Sequence, residues 1–248
     1  MARLEGVYWD LDGTIANTEL EAHLPAFNKS FKDLGMNWYW DDKTYIDLLK
    51  INGGRNRIRF YGLFKNEKIS EDQIIKIHNR KQHHYLNLIE DGAVKLKKGV
   101  YRLISELMEK EVRQFIVTSS SRIQVDVLMN ILFKDINPFE FFITSEDVKS
   151  HKPAPLPYLK AIRLSKINKS NSIVFEDSIP GVTSSLSANL LTICVQSNIP
   201  VNFSNEINLD LLIDSLGDEN HPTKIIKGNL IPNKYINYAF LNKFLNQY

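Results

Sequence analysis

Two aspartates two positions apart, Asp10 and Asp12, lie in the run Asp10-Leu11-Asp12-Gly13-Thr14. The run closes a short apolar stretch, Gly6-Val7-Tyr8-Trp9, which reads as a buried strand too short to be a helix. Side chains alternate along a strand, so this spacing predicts both carboxylates on the same side of its end. Like charges that close repel strongly unless a cation sits between them. Gly13 permits a tight turn, and Thr14 adds a hydroxyl. A nucleophile, a proton donor and a metal ion fit the same small space. Asp-Gly after a strand is also ordinary turn chemistry, so the weight falls on what the rest of the chain adds.

Three later segments add it. Thr118-Ser119-Ser120-Ser121 follows an apolar run at 115–117. Hydroxyls and free N–H groups at a strand-to-helix junction favour an anion such as phosphate, although serine runs also serve as plain helix caps. Ser150-His151-Lys152-Pro153 holds a lysine just before a proline. Glu176-Asp177-Ser178 follows the apolar run at 173–175, and adjacent acids there are hard oxygen ligands suited to Mg²⁺. All three segments fall at, or just beyond, the carboxyl ends of expected strands, where an open α/β sheet binds its ligands. An acidic set, one cation and a hydroxyl-lined anion pocket suit phosphoryl transfer through a covalent aspartyl phosphate.

The elements that must position these groups follow from periodicity. Apolar runs at 7–9, 115–117, 141–143, 173–175 and 191–195, with a weaker one at 211–213, have strand character. Val100, Leu103, Ile104, Leu107 and Met108 trace the stripe of an amphipathic helix, and Val125, Leu128, Met129 and Leu132 repeat it. Alternating buried strands and helices predict an α/β fold with a doubly wound parallel sheet. Residues 17 to about 98 break the alternation, with helical stretches at 19–34, 43–49, 57–63 and 71–88 and no convincing strand. The expected organisation is a core of residues 1–16 and 93–248 with a small helical cap, residues 17–92, inserted after strand one. Gly92 and Gly99 bracket the return as candidate hinges, the cap is expected to form a lid over the site, and residues 229–248 are expected to end in a helix on the core.

Composition excludes some classes. Of 248 residues, 43% are hydrophobic and 24% charged, ordinary globular values. No stretch of about 18 apolar residues suggests a membrane span. A net charge of +2 without a basic block argues against nucleic acid. The first residues run straight into strand one, leaving no room for a signal peptide, and the single cysteine, Cys194, excludes an internal disulfide. A cytoplasmic monomer acting on a small molecule is expected.

The four segments together resemble the motifs of the haloacid dehalogenase superfamily: Asp10 to Thr14, Ser119, Lys152 and Glu176-Asp177, in that order. Within it the chain resembles the β-phosphoglucomutase-like branch and, more closely, the CbbY-type sugar bisphosphate phosphatases. That likeness lies in Thr18-Glu19, His23, Phe27-Asn28, Leu48-Leu49-Lys50 and Gly53-Gly54-Arg55-Asn56-Arg57, and later in Leu216-Gly217-Asp218-Glu219 and Lys227-Gly228. The resemblance implies a Rossmann-like core with a cap, and Mg²⁺ held by Asp10, Asp12 through its carbonyl, and Asp177, with Glu176 close by. It implies Asp10 as nucleophile and Asp12 as acid and base. Ser119, Ser120 and Lys152 would bind phosphate, with Thr118 replacing Ser119 if the motif is offset by one. Glu19 and His23 would meet the sugar, and Arg55, with Arg57 and Lys50, the second phosphate. Departures are His151 where a second lysine is common, Lys98 where a proline precedes the glycine, and Asn189 where glycine is common; none touches a reacting carboxylate.

The implied activity is Mg²⁺-dependent hydrolysis of a sugar bisphosphate, xylulose-1,5-bisphosphate to xylulose 5-phosphate. A sugar phosphomutase, or a phosphatase for another small substrate such as phosphoglycolate, would use the same motifs. A dehalogenase would need neither Asp12 nor the metal ligands, and a non-catalytic sugar-phosphate sensor would be expected to lack a motif carboxylate.

Overall fold

The fold is that of a computed structural model, which describes residues 2–51, 53–199, 201, 207 and 209–247. Asn52 of the expected cap and Tyr248 of the expected tail lie outside these. The chain runs from β1 (Gly6–Trp9) into the helices α1 (Leu24–Asp33), α2 (Asp42–Leu48), α3 (Gly54–Phe64) and α4 (Glu71–Glu90). It continues through α5 (Val100–Glu109), β2 (Arg113–Val117), α6 (Arg122–Leu132), β3 (Phe141–Ile143), α7 (Leu156–Ser165) and β4 (Ser172–Glu176). The last elements are α8 (Ile179–Ser187), β5 (Leu191–Val195), β6 (Leu211–Ile213), β7 (Ile225–Lys227) and α9 (Tyr238–Leu245). Two compact units result: residues 1–17 with 95–248, and residues 18–94.

The first unit is a single sheet in the order β3-β2-β1-β4-β5-β6-β7. Every pairing is parallel except β6 with β7, which is antiparallel. β1 and β4 are buried throughout, as the middle of a parallel sheet requires, and their residues are apolar almost without interruption. On one face Tyr8, Phe115, Val117 and Val174 pack with Tyr158 and Ala161 of α7. On the other, Trp9 stacks on Phe175 at 4.4 Å, and its indole N–H donates to Gln114 at 3.1 Å. The Gln114 amide donates in turn to the Ile104 carbonyl of α5 at 3.1 Å. Helices therefore cover both faces and the sheet is doubly wound. β7 lay outside the sequence expectation: it has three residues, two of them exposed, on the sheet's edge.

The register decides where the chemistry emerges. Trp9 pairs with Ile116 on one side and with Phe175 on the other, and the Asp10 N–H donates to the Phe175 carbonyl at 2.9 Å. Residues just past β1, β2 and β4 therefore leave the sheet at one edge, level with one another.

The second unit is helical around its own aromatic core, with Phe27, Phe31, Trp38, Trp40, Tyr45 and Tyr61 buried together. The helical stretch expected at 19–34 is two elements. Glu19–His23 is a turn of π-helix, with the Leu24 N–H donating to the Glu19 carbonyl, and α1 follows. Pro25 lies in α1's first turn and has no N–H to continue the upstream ladder, so the backbone changes its hydrogen-bond period there. Among the described residues, no helix is long and apolar enough to cross a membrane.

Candidate active site

Asp10, the first residue after β1, is buried, and its Oδ1 accepts from the Lys152 ammonium at 2.6 Å. Lys152, also buried, donates to Glu176 Oε1 at 2.5 Å and to the Val117 carbonyl at 2.8 Å, so its three N–H groups are all engaged. Glu176 ends β4 with no exposure; besides Lys152, its Oε1 accepts from the Tyr158 hydroxyl at 2.6 Å. Its Oε2 receives the Asp177 N–H at 3.3 Å and the Ser178 hydroxyl at 3.4 Å. A Cβ on Gly181 would run into this carboxylate, so the first turn of α8 carries a glycine there. Glu176 is thus a carboxylate satisfied by the protein itself, and it fixes Lys152.

Asp12 has a different environment. Its Oδ2 accepts from Ser120 Oγ at 2.6 Å and from Thr118 Oγ1 at 3.4 Å, and Thr118 Oγ1 also accepts the Ser120 N–H at 3.0 Å. Of the hydroxyl run, Thr118 is buried, Ser120 half-buried and Ser119 exposed. The hydroxyls that reach Asp12 are therefore those of Thr118 and Ser120. Gly13 makes the turn between the two aspartates and Thr14: its φ is 91°, and a Cβ there would strike the Asp177 carboxylate.

Asp10, Glu176 and Asp177 are all buried and offer carboxylate oxygens within 4.8 Å of one another. Burial pushes the Asp10 carboxyl well above its usual range; Lys152 opposes this, while Glu176, Asp177 and Asp12 add to it. Burial and then Glu176 push Asp177 up to about 7, against the charges of Lys97 and Lys152. Burial alone would depress the Lys152 ammonium, but the carboxylates of Asp10 and Glu176 hold it above its ordinary value. Four carboxylates face two ammoniums, Lys152 and Lys97, which leaves a double negative charge when all are ionised. A hard divalent cation fits both that charge and those oxygens.

The remaining expected residues lie in the helical unit. Glu19 accepts from the Tyr45 hydroxyl, and the Arg57 guanidinium lies 5.9 Å over the Tyr45 ring with its Nε donating to the Ile51 carbonyl at 3.0 Å. His23 stacks on Tyr85 with centroids 4.2 Å apart, and its Nδ1 meets the buried Lys81 ammonium at 2.5 Å. An ammonium only donates, so Nδ1 accepts there. Arg55 lies in the first turn of α3, near enough to His78 for its charge to act on it. Lys50 is paired with Asp47 at 2.7 Å, and its side chain is 77% exposed.

Lys97, Tyr158 and Lys81 were not singled out from the sequence. Lys97 and Lys81 each stand among other lysines or histidines without a distinguishing spacing, and Tyr158 reads as an ordinary helix residue. Their partners lie 84, 18 and 58 positions away, beyond any local pattern.

A family model described as haloacid dehalogenase-like hydrolase matches residues 7–195, from β1 through β5. The chain belongs to that family. It is accordingly an enzyme, a hydrolase. This hydrolase is 33% identical over 198 residues to the protein CbbY of Rhodobacter capsulatus, covering 78% of this chain and 86% of that one. Crystal structures of CbbY from Rhodobacter sphaeroides are also similar to it. One contains phosphate; the other is an aspartate-to-asparagine variant in complex with xylulose-1,5-bisphosphate. Each shares 28% identity with this hydrolase at a TM-score of 0.78, covering 86% of this chain and 94% of its own.

Proposed function

We propose that this hydrolase removes a phosphate from a sugar bisphosphate, xylulose-1,5-bisphosphate being the leading candidate, with Mg²⁺ as cofactor. The observation that carries the reading is Asp10: a buried carboxylate against a lysine, beside two more acids, with a second aspartate held by hydroxyls one turn away. Similarity to a protein crystallised with xylulose-1,5-bisphosphate supports the choice of substrate.

In this reading an Asp10 carboxylate oxygen attacks phosphorus, the bond to the sugar oxygen breaks, and Asp10 carries the phosphoryl group. Asp12 gives its proton to the departing sugar oxygen. It then takes a proton from the water that attacks the aspartyl phosphate, and inorganic phosphate leaves. Ser120 and Thr118, by binding one oxygen of Asp12, orient the other group of that carboxyl for both transfers. Lys152, anchored on Glu176, offsets charge that builds on the phosphoryl oxygens. Asp10 and Asp177, with the Asp12 carbonyl, would hold Mg²⁺, which when bound neutralises the acidic cluster and polarises the phosphoryl group. Arg55 and Arg57 take the second phosphate, where a guanidinium fork gives bidentate contact, and Glu19 and His23 take the sugar.

Phosphate release measured across sugar monophosphates and bisphosphates, with and without Mg²⁺, tests this. Release should be confined to Mg²⁺-containing reactions and fastest on bisphosphates. Equal rates on both classes would remove the bisphosphate assignment, and an isomerised product without free phosphate would make the enzyme a mutase.

A further inference from the structure

Lys97 is a second lysine at the acidic site, and the reaction described above does not use it. Its neighbours Lys95 and Lys98 are exposed, whereas Lys97 is half-buried. Its ammonium donates to the Gly13 carbonyl, in the turn that carries Asp12, and to the Gln196 carbonyl, just past β5, at 3.0 Å. The main chain fixes the same residue. The Lys97 N–H donates to the Ile15 carbonyl at 2.9 Å, Leu96 bridges Ala16, and the Gly13 N–H donates to the Ala16 carbonyl at 2.7 Å. Gly13 in turn leaves no room for a side chain against Asp177. The charge of Lys97 acts on Asp177 and on Asp10. A cation anchored by two neutral carbonyls keeps its full charge available to those acids, unlike Lys152, which two carboxylates already share.

We propose that Lys97 is a positioning residue for phosphoryl transfer: it ties the Gly13 carbonyl to the end of β5, which fixes the turn bearing Asp12, and it moderates the pull of Asp177 and Asp10 on a divalent cation. This rests on the reading of the acidic cluster as a metal site. Two consequences run in opposite directions. Without the ammonium, the carboxylates attract a divalent ion more strongly, because like-charge repulsion between lysine and metal is gone. At the same time the turn loses its tether, and proton transfer by Asp12 slows. General damage to the site would instead weaken both metal binding and turnover.

Mn²⁺ binding to the substrate-free protein, followed by electron paramagnetic resonance, and steady-state hydrolysis of p-nitrophenyl phosphate provide the two readouts. Lys97→Met should bind Mn²⁺ about three- to tenfold more tightly, while kcat falls about ten- to a hundredfold and KM changes less than about threefold. Lys97→Arg, which keeps the charge and can donate to both carbonyls, should return both readouts to within about threefold of the wild type. If Lys97→Met does not fold, Lys97→Gln keeps a donor without the charge and should show the tighter Mn²⁺ binding with a smaller loss of kcat. Unchanged Mn²⁺ affinity in the charge-removing variants, or affinity that falls together with kcat, overturns the role of Lys97 while leaving the metal site intact. A wild-type protein that binds no Mn²⁺ overturns the metal-site reading, and this one with it.

Discussion

Asp10 and Glu176 share Lys152 but are built for different tasks. Glu176 receives four hydrogen bonds from its own chain, whereas Asp10 has Lys152 on one oxygen and lies against two further acids. Replacing Asp10 by asparagine keeps the shape and an acceptor for Lys152 but removes the nucleophile. Asp10→Asn should fold normally by circular dichroism and lose at least about a thousandfold in phosphate-release rate. Full activity in that variant would move the nucleophile elsewhere. Tyr158 is the contrasting case, since its hydroxyl donates to the supporting carboxylate of Glu176. Tyr158→Phe should cost about 1 kcal/mol in chemical unfolding and only a few-fold in kcat, because Lys152 and two weaker donors still hold Glu176.

At the scale of elements, the turn after β1 brings the acids together. Gly13 has a backbone conformation that side chains avoid, and its missing Cβ is the space that Asp177 occupies. Gly13→Ala should lose about 1 kcal/mol or more of stability and most of its activity, measured by thermal melting and phosphate release. Near-normal kinetics would mean that Asp177 does not need that position. Much of this was legible in the sequence, because the carboxylate pairs sit next to continuous apolar runs whose burial leaves few alternatives. Asp10, Asp12, Glu176 and Asp177 were found that way, as were β1 to β6. β7 escaped because an exposed three-residue edge strand has no apolar pattern to show. The π-helical turn at Glu19–His23 escaped because its cause, Pro25, acts on the residues before it. A run of three serines does not say which hydroxyl turns toward Asp12: Thr118 and Ser120 do, while Ser119, the hydroxyl expected to meet phosphate, is exposed. Lys97 reaches Gly13 only once the sheet has brought the two together.

For the molecule as a whole, the two units carry separate cores, and the helical one has its own response to acid. His78 of α4 has its pKa lowered to about 4, first by burial and then by the charges of Lys81, Arg55 and His23. In the unfolded chain the same imidazole titrates near its ordinary value of about 6.5. Above that value neither state binds the proton, and the contribution of His78 to stability does not change with pH. Between the two values the unfolded state takes up a proton that the folded state refuses, so stability falls as pH drops. Because the ring is partly solvent-exposed, the loss between pH 7 and pH 5 should be on the order of 1 kcal/mol rather than the full shift. Two of the three tryptophans, Trp38 and Trp40, are buried in this unit's aromatic core, so intrinsic fluorescence in urea titrations at pH 5, 6, 7 and 8 follows its unfolding. The midpoint should decline below pH 6.5 in the wild type, and His78→Gln, which has no proton to gain, should flatten that part of the decline. An equal slope in the two proteins would show that other groups, and not the half-buried imidazole of His78, carry the acid sensitivity.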